Sequence, residues 1–371
     1  MSASTTRRSS SWKLNGFTTR AGIVYPIVQG PFGGRFSTPQ LAAAVSNAGG
    51  LGSFGAQPFK ADEMAGIAAS IRALTDKPFN INLWVSNIDE GAAGLSRADY
   101  DRAVAAMRPY FDELKVEPPA YPFQPGPRFA DQIVALIEAA PPVISFIFGV
   151  PSRQILADCR RRGIVTIGTV TTPDEARAME AAGVDLIVAS GFEAGGHRGS
   201  FLKPADQSLT GTFALVPQVV DAVKLPVIAA GGIADGRGIR AAMALGAQGV
   251  QIGTAFLACE ESGATPLHKQ LLFSAEGRVT ALTRNFSGRL ARGVHNRLVE
   301  ETRAKGYEPL PYPVQGWLMR PVFEAAIAAG RTDLPVFWAG QGAHLLRYAK
   351  AAELMASLVA ELETGSGEAK V

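Results

Sequence analysis

Short apolar runs alternate with Ala-rich amphipathic stretches from residue 26 to about residue 258. The runs are Ile27–Gln29, Leu51–Phe54, Phe79–Val85, Val143–Phe148, Ile164–Thr169, Asp185–Ala189, Val227–Ala230 and Gly249–Ile252. Continuous short apolar runs mark strands buried on both faces, as in parallel sheets. The stretches between them carry helix punctuation. Thr38-Pro39 opens one, and Thr172-Pro173-Asp174-Glu175 offers an N-cap, a first-turn proline and a glutamate spaced for a capping box. Glycines end others, at Gly49, Gly163, Gly183 and Gly246. Eight strand–helix units predict an α/β fold closed as a (β/α)8 TIM barrel rather than an open sheet.

The spacing is uneven. Residues 86–142 predict extra helices near Asp99–Leu114 and Arg128–Ala139, parted by the Pro-rich stretch Glu117–Pro127. Residues 199–209 are a polar excursion read as a lid or active-site insertion. Helical patterns dominate from His268 to Glu363, with a Pro-rich break at Glu308–Pro313. The expected organisation is a disordered arm over residues 1–20 and the barrel over 21–260. A mostly helical, substrate-side subdomain follows over 261–340, then an amphipathic C-terminal helix over 341–363 that closes the barrel, and a frayed tail over 364–371.

Composition narrows the class. Of 371 residues, 47% are hydrophobic and 19% charged, as in an ordinary globular chain. A net charge of +3, scattered along the chain, argues against nucleic acid as a partner. Cys159 and Cys259 lack a C-x-x-C or a nearby His, which predicts free thiols in a reducing cytoplasm. The Ser-rich, basic start has no apolar core of a signal peptide. No apolar run reaches the ~18 residues needed to cross a membrane. A small molecule is therefore the expected partner, and a homodimer the one assembly entertained.

Chemistry concentrates at strand ends. Gly191-Phe192-Glu193-Ala194-Gly195-Gly196-His197-Arg198-Gly199 follows the run Val184–Ala189, where barrels keep their active sites. Glycines let backbone approach a flat ligand, and His197 is one of only four histidines. The other three, His268, His295 and His344, sit in helical patterns and read as surface or packing residues. Ala230-Gly231-Gly232, before a new helix, and Gly253-Thr254 end consecutive strands, a pairing suited to a phosphate held by backbone N–H groups without a lysine. Gly50-Leu51-Gly52-Ser53-Phe54-Gly55 matches the dinucleotide fingerprint, but a helix precedes it, so its glycines read as close-packing positions. No Walker, H-E-x-x-H, EF-hand or G-x-S-x-G motif occurs, so metal hydrolysis and serine-triad chemistry have no support.

These motifs, in this order, resemble the nitronate monooxygenases (2-nitropropane dioxygenase-like), a family of FMN-binding TIM barrels. The resemblance begins with Pro26-Ile27-Val28-Gln29-Gly30-Pro31-Phe32 and the stretch Leu41–Gly52. It continues through Asn80-Ile81-Asn82-Leu83, the His197 loop, the two glycine turns, Phe286-Ser287-Gly288-Arg289 and Trp338-Ala339-Gly340-Gln341. It covers roughly residues 20–350. One departure is Gly30-Pro31-Phe32, where family members often carry Ala-Pro-Met.

The resemblance implies FMN across the C-terminal mouth of the barrel. Ala230, Gly231, Gly232, Gly253 and Thr254 would hold its phosphate, with Gln29, Gly30, Asn82, Thr169, Gly195 and Gln341 also near the cofactor. It implies His197 as the base that takes the α-proton of a nitroalkane, kept neutral by a nearby cation such as Arg198. Phe32, Ser287 and Arg289 are the candidate substrate contacts. The implied reaction is cytoplasmic nitroalkane detoxification, with oxygen converting the nitronate to a carbonyl compound plus nitrite. Two other readings stay open at this point: an NAD(P)H-dependent flavin reductase of quinones or enoyl thioesters on the same barrel, and a non-redox barrel for a phosphorylated metabolite.

Overall fold

The computed structural model describes residues 12–364 except Asn87, Glu90 and Gly91. Eight parallel strands form the barrel: β1 (Ile27–Gln29), β2 (Gly52–Gly55), β3 (Phe79–Trp84), β4 (Val143–Ile147), β5 (Val165–Val170), β6 (Leu186–Ser190), β8 (Val227–Ala230) and β9 (Gly249–Ile252). The two-residue β7 (Gly196–His197) lies between β6 and β8 in sequence. The barrel order is β1-β9-β8-β6-β5-β4-β3-β2, and a parallel bridge between Val28 and Leu51 joins its two ends. All eight predicted strands are present, three with unchanged bounds and the others shifted by one residue at one or both ends.

The strands hold together because their side chains are apolar on both faces. Val28, Leu51, Val143, Ile167, Leu186, Val188 and Ile228 pack inside, while Ile27, Phe54, Ile81, Ile144, Phe146 and Val250 face the surrounding helices. Gly52 belongs to the dinucleotide-like motif, and a Cβ there would overlap the Ala42 carbonyl, so close packing is its role.

The N-terminal segment differs from the predicted arm. Residues 1–11 lie outside the described residues, but Gly16–Ala21 is a helix capped by Asn15. Asn15 donates to the Gln248 carbonyl, and Phe17, fully buried, sits against Gly249, so this helix plugs the N-terminal end of the barrel. A six-residue helix with one large apolar anchor is too short to stand out by periodicity alone.

The C-terminal part departs further. Gln341–Leu345 is a 3-10 turn, and the closing helix runs from Ala351 to Glu363, not from Gly342. It packs on the helices Pro39–Asn47 and Gly236–Ala244, the place of an eighth barrel helix. Residues 261–340 are not simply helical. They contain β10 (Thr280–Thr283) and β11 (Ala291–Val294), which join β7 in an antiparallel sheet of order β10-β11-β7.

The two insertions share one core. From the expected helix of residues 86–142, here Arg97–Leu114, Tyr100, Met107, Tyr110 and Phe111 pack with Leu298, Val314, Leu318, Val322 and Phe323. The substrate-side unit is therefore built from two stretches far apart in sequence rather than from 261–340 alone. Cys159 and Cys259 are free and buried. No helix among the described residues is long and apolar enough to cross a membrane.

Candidate active site

The C-terminal ends of the barrel strands open into a cavity of about 320 Å³. Gly30, Phe32, Asn82, Thr169, Gly195, His197, Ala230, Gly231, Gly232, Gly253 and Thr254 line it, so most of the expected site residues converge there. Four do not reach its wall. Gln29 is fully buried, donating to the Gly30 carbonyl and accepting from Ser53 N–H (2.8 Å). Gln341 is exposed beyond the turn that it begins. Ser287 and Arg289 stand behind the lining residues and act on them.

One side of the cavity is backbone. Gly231 and Gly232 have φ of 116° and 70°, in the left-handed region that side chains disfavour. A Cβ on Gly253 would meet nothing within 4 Å, so its backbone faces open space. Thr254 turns its hydroxyl away to accept from Gly340 N–H (2.8 Å). The helix after β8 contributes less than its sequence suggests: Asp235 caps it by accepting from Arg237 and Gly238 N–H, and Glu361 accepts from Gly236 N–H. Two carboxylates hold that helix start, which leaves the Gly231–Gly232 and Gly253–Thr254 turns as the open backbone of this wall.

The other side is side chain. His197 lies on β7, whose register against β11 pairs it with Ala291. Four rings surround it: Trp338 at 5.1 Å between centroids, Tyr312 at 5.3 Å, Trp84 at 5.6 Å and Phe148 at 6.3 Å. Phe148 takes a φ of 64°, a strained conformation for a bulky residue, of the kind that concentrates at functional sites. The His197 Nε2 lies 2.7 Å from Ser287 Oγ, and the serine hydroxyl donates to the Arg289 carbonyl (3.4 Å). The hydroxyl thus holds the imidazole through Nε2.

Burial and then the Arg289 charge push the His197 pKa from 6.5 down to about 3. The residue is therefore neutral, as expected. One expectation is corrected. The cation responsible is Arg289, not Arg198, whose guanidinium turns inward to the carbonyls of Ser190, Gly191 and Ser208 and closes the 191–211 loop. The Arg289 guanidinium lies over the rings of Phe148 (4.3 Å) and Tyr312 (4.5 Å) and pairs with Asp89 at 2.6 Å.

Other residues brace the site. Glu193, the one acidic residue of the loop, accepts from Thr212 N–H and hydroxyl and so caps the following helix. Glu175 does not complete a capping box with Thr172. Fully buried, it accepts from Thr171 N–H and hydroxyl and from Phe201 and Leu202 N–H, anchoring the start of the 199–209 insertion. His268 is buried 3.0 Å from the Trp338 carbonyl, while His344 is exposed and His295, just after β11, is half-buried. Trp84, Phe148, Tyr312 and Trp338, with the polar Gln57, Ser190 and Gln251, are lining residues that sequence reasoning missed. Aromatics spread from residue 84 to 338 carry no local pattern that would reveal them.

Comparisons with known proteins agree with this geometry. The family model described as "Nitronate monooxygenase" matches residues 16–361. A "Probable nitronate monooxygenase" of Staphylococcus aureus (strain Newman) is 40% identical over 352 residues, covering 95% of this chain and 98% of the relative. The solved structure of a nitroalkane oxidase from Streptomyces ansochromogenes is 39% identical with a TM-score of 0.86, covering 94% of this chain and 98% of that one. FabK from Thermotoga maritima is 30% identical with a TM-score of 0.71, covering 94% and 96%. The chain thus belongs to the nitronate monooxygenase family and is a flavin-dependent oxidoreductase of that family.

Proposed function

We propose that the chain binds FMN and converts alkyl nitronates, and nitroalkanes once deprotonated, to carbonyl compounds and nitrite with dioxygen. The observation that carries this reading is the meeting, in one cavity, of a side-chain-free glycine cradle with a neutral, Ser287-held His197. The cradle fits a flavin phosphate: backbone N–H groups of Gly231, Gly232, Gly253 and Thr254 supply donors, and an added Cβ at Gly253 would enter the space the ligand needs. Gly30, Asn82, Thr169 and Gly195 line the same cavity and would contact the rest of the cofactor. FMN supplies one-electron exchange between an electron-rich carbon and dioxygen, which no side chain provides.

His197 handles the proton. Its Nδ1 has no hydrogen-bond partner among the described residues, and Ser287 holds the ring through Nε2. A conjugate acid near pKa 3 makes His197 a weak base, and removal of an α-proton is most efficient when the pKa lies near ambient pH. Nitronates that arrive already deprotonated bypass that step and are the better substrates. Aerobic incubation with butyl nitronate should release nitrite and butanal in equal amounts, and the flavin freed on denaturation should be FMN. Absence of nitrite would contradict the reading.

A further inference from the structure

Arg198 follows His197 yet takes no part in the ring cage. It is 2% exposed, and burial lowers its pKa from 12.5 only to about 10, so it is charged at neutral pH. No carboxylate among the described residues pairs with it. Nη1 donates to the Gly191 carbonyl (2.7 Å), Nη2 donates to those of Ser190 (2.9 Å) and Ser208 (3.0 Å), and Nε is buried without a partner. A guanidinium taken out of water regains little from neutral carbonyls alone, so a negative charge nearby would stabilise it.

Its position points to one. Ser190 lines the cavity, and the Gly191 carbonyl lies 3.2 Å from where a Cβ on Gly231 would stand. A single carbonyl therefore separates the guanidinium from the back of the glycine cradle. A carboxylate shares that back wall: Thr212 Oγ1 lies 2.8 Å from Glu193 Oε2 and 3.0 Å from the Gly231 carbonyl. Arg292, also buried, donates to the next carbonyl of the loop, that of Phe192 (3.0 Å). None of the described residues lining the cavity is Asp, Glu, Lys or Arg, so an anion in the cradle meets formal charge only from behind the wall.

Resting on the FMN reading above, we propose that Arg198 is a specificity-determining residue for the cofactor. From behind the cradle it offsets Glu193 and makes the glycine turns favour a phosphate dianion, so that FMN is bound in preference to riboflavin. The two charges act through one layer of backbone at low dielectric, where salt screens them little. Removing one or the other should therefore shift phosphate affinity in opposite directions.

The apoprotein is titrated with FMN and with riboflavin, which lacks the phosphate, and the two affinities are read from quenching of flavin fluorescence. In the unaltered chain their ratio should favour FMN by at least about 100-fold; a ratio near one overturns the FMN reading and the proposal with it. Arg198→Gln should lower the ratio by at least about tenfold, with riboflavin affinity changed much less. Equal losses on both flavins would show that Arg198 only closes its loop, and would overturn the proposal alone. Arg198→Lys keeps the charge and should keep the ratio within about threefold of the unaltered chain; a loss as large as that of Arg198→Gln overturns the proposal. Glu193→Gln retains an acceptor for Thr212 and should raise the ratio by at least about threefold. An unchanged or lower ratio there overturns the proposal, even where the Arg198 variants fail to fold.

Discussion

The glycine side and the ring side of the cavity are built on opposite principles. The cradle uses backbone from two consecutive strand ends, Gly231–Gly232 and Gly253–Thr254, and positions no side chain toward its ligand. The cage uses side chains delivered by segments more than 250 residues apart, from Trp84 to Trp338, with β7 and β11 fixing the register of His197. Local sequence suffices for the first. The second exists only after the insertions have packed on the barrel. The barrel therefore supplies a place for a cofactor, and the added elements decide what is presented to it.

Breaking the cradle should have the largest effect. Gly253→Asp adds a carboxylate where the backbone faces open space, so the apoprotein should fold unchanged while flavin affinity falls by more than about 100-fold; flavin content against melting temperature checks both. Breaking the cage at its centre is next. His197→Asn should keep its flavin and lose on the order of 10²–10⁴ in kcat/KM for neutral nitroalkanes, with a smaller loss for pre-formed nitronates. Parallel losses on both substrates would show that His197 acts other than on the proton. Ser287→Ala leaves Nε2 without its hydrogen-bond partner and should cost about tenfold on nitroalkanes, without loss of flavin.

Outside the cavity, the effect is on stability alone. Burial holds the His268 pKa at about 4 instead of 6.5. Between those values the unfolded chain takes up a proton that the native state refuses, so stability rises with pH across the window and falls on acidification. From pH 7 to pH 5 the loss from this one group is about 2 kcal/mol. His268→Gln should flatten that part of the melting-temperature profile, and an unchanged slope would place the pH dependence elsewhere.

The same division explains how much was legible in the sequence. Parallel strands buried on both faces announce themselves as apolar runs, which is why all eight appear within a residue of their expected bounds. Gly231, Gly232, Gly253 and His197 were legible because their chemistry is contained in a few adjacent residues. Arg198 was misjudged because adjacency to His197 says nothing of direction; it follows β7, and its guanidinium turns to the carbonyls of Ser190, Gly191 and Ser208. Ser287 and Arg289 were noticed in their motif, but only tertiary packing shows that they support His197 and the rings from behind. β10 and β11 were missed because four-residue strands within helical patterns give too short a signal.

Anaerobic mixing of the purified flavoprotein, once with butyl nitronate and once with NADH or NADPH, tests the central claim most directly. The account predicts flavin reduction by the nitronate and none by either nicotinamide. Rapid bleaching by a nicotinamide, with no response to the nitronate, would contradict it.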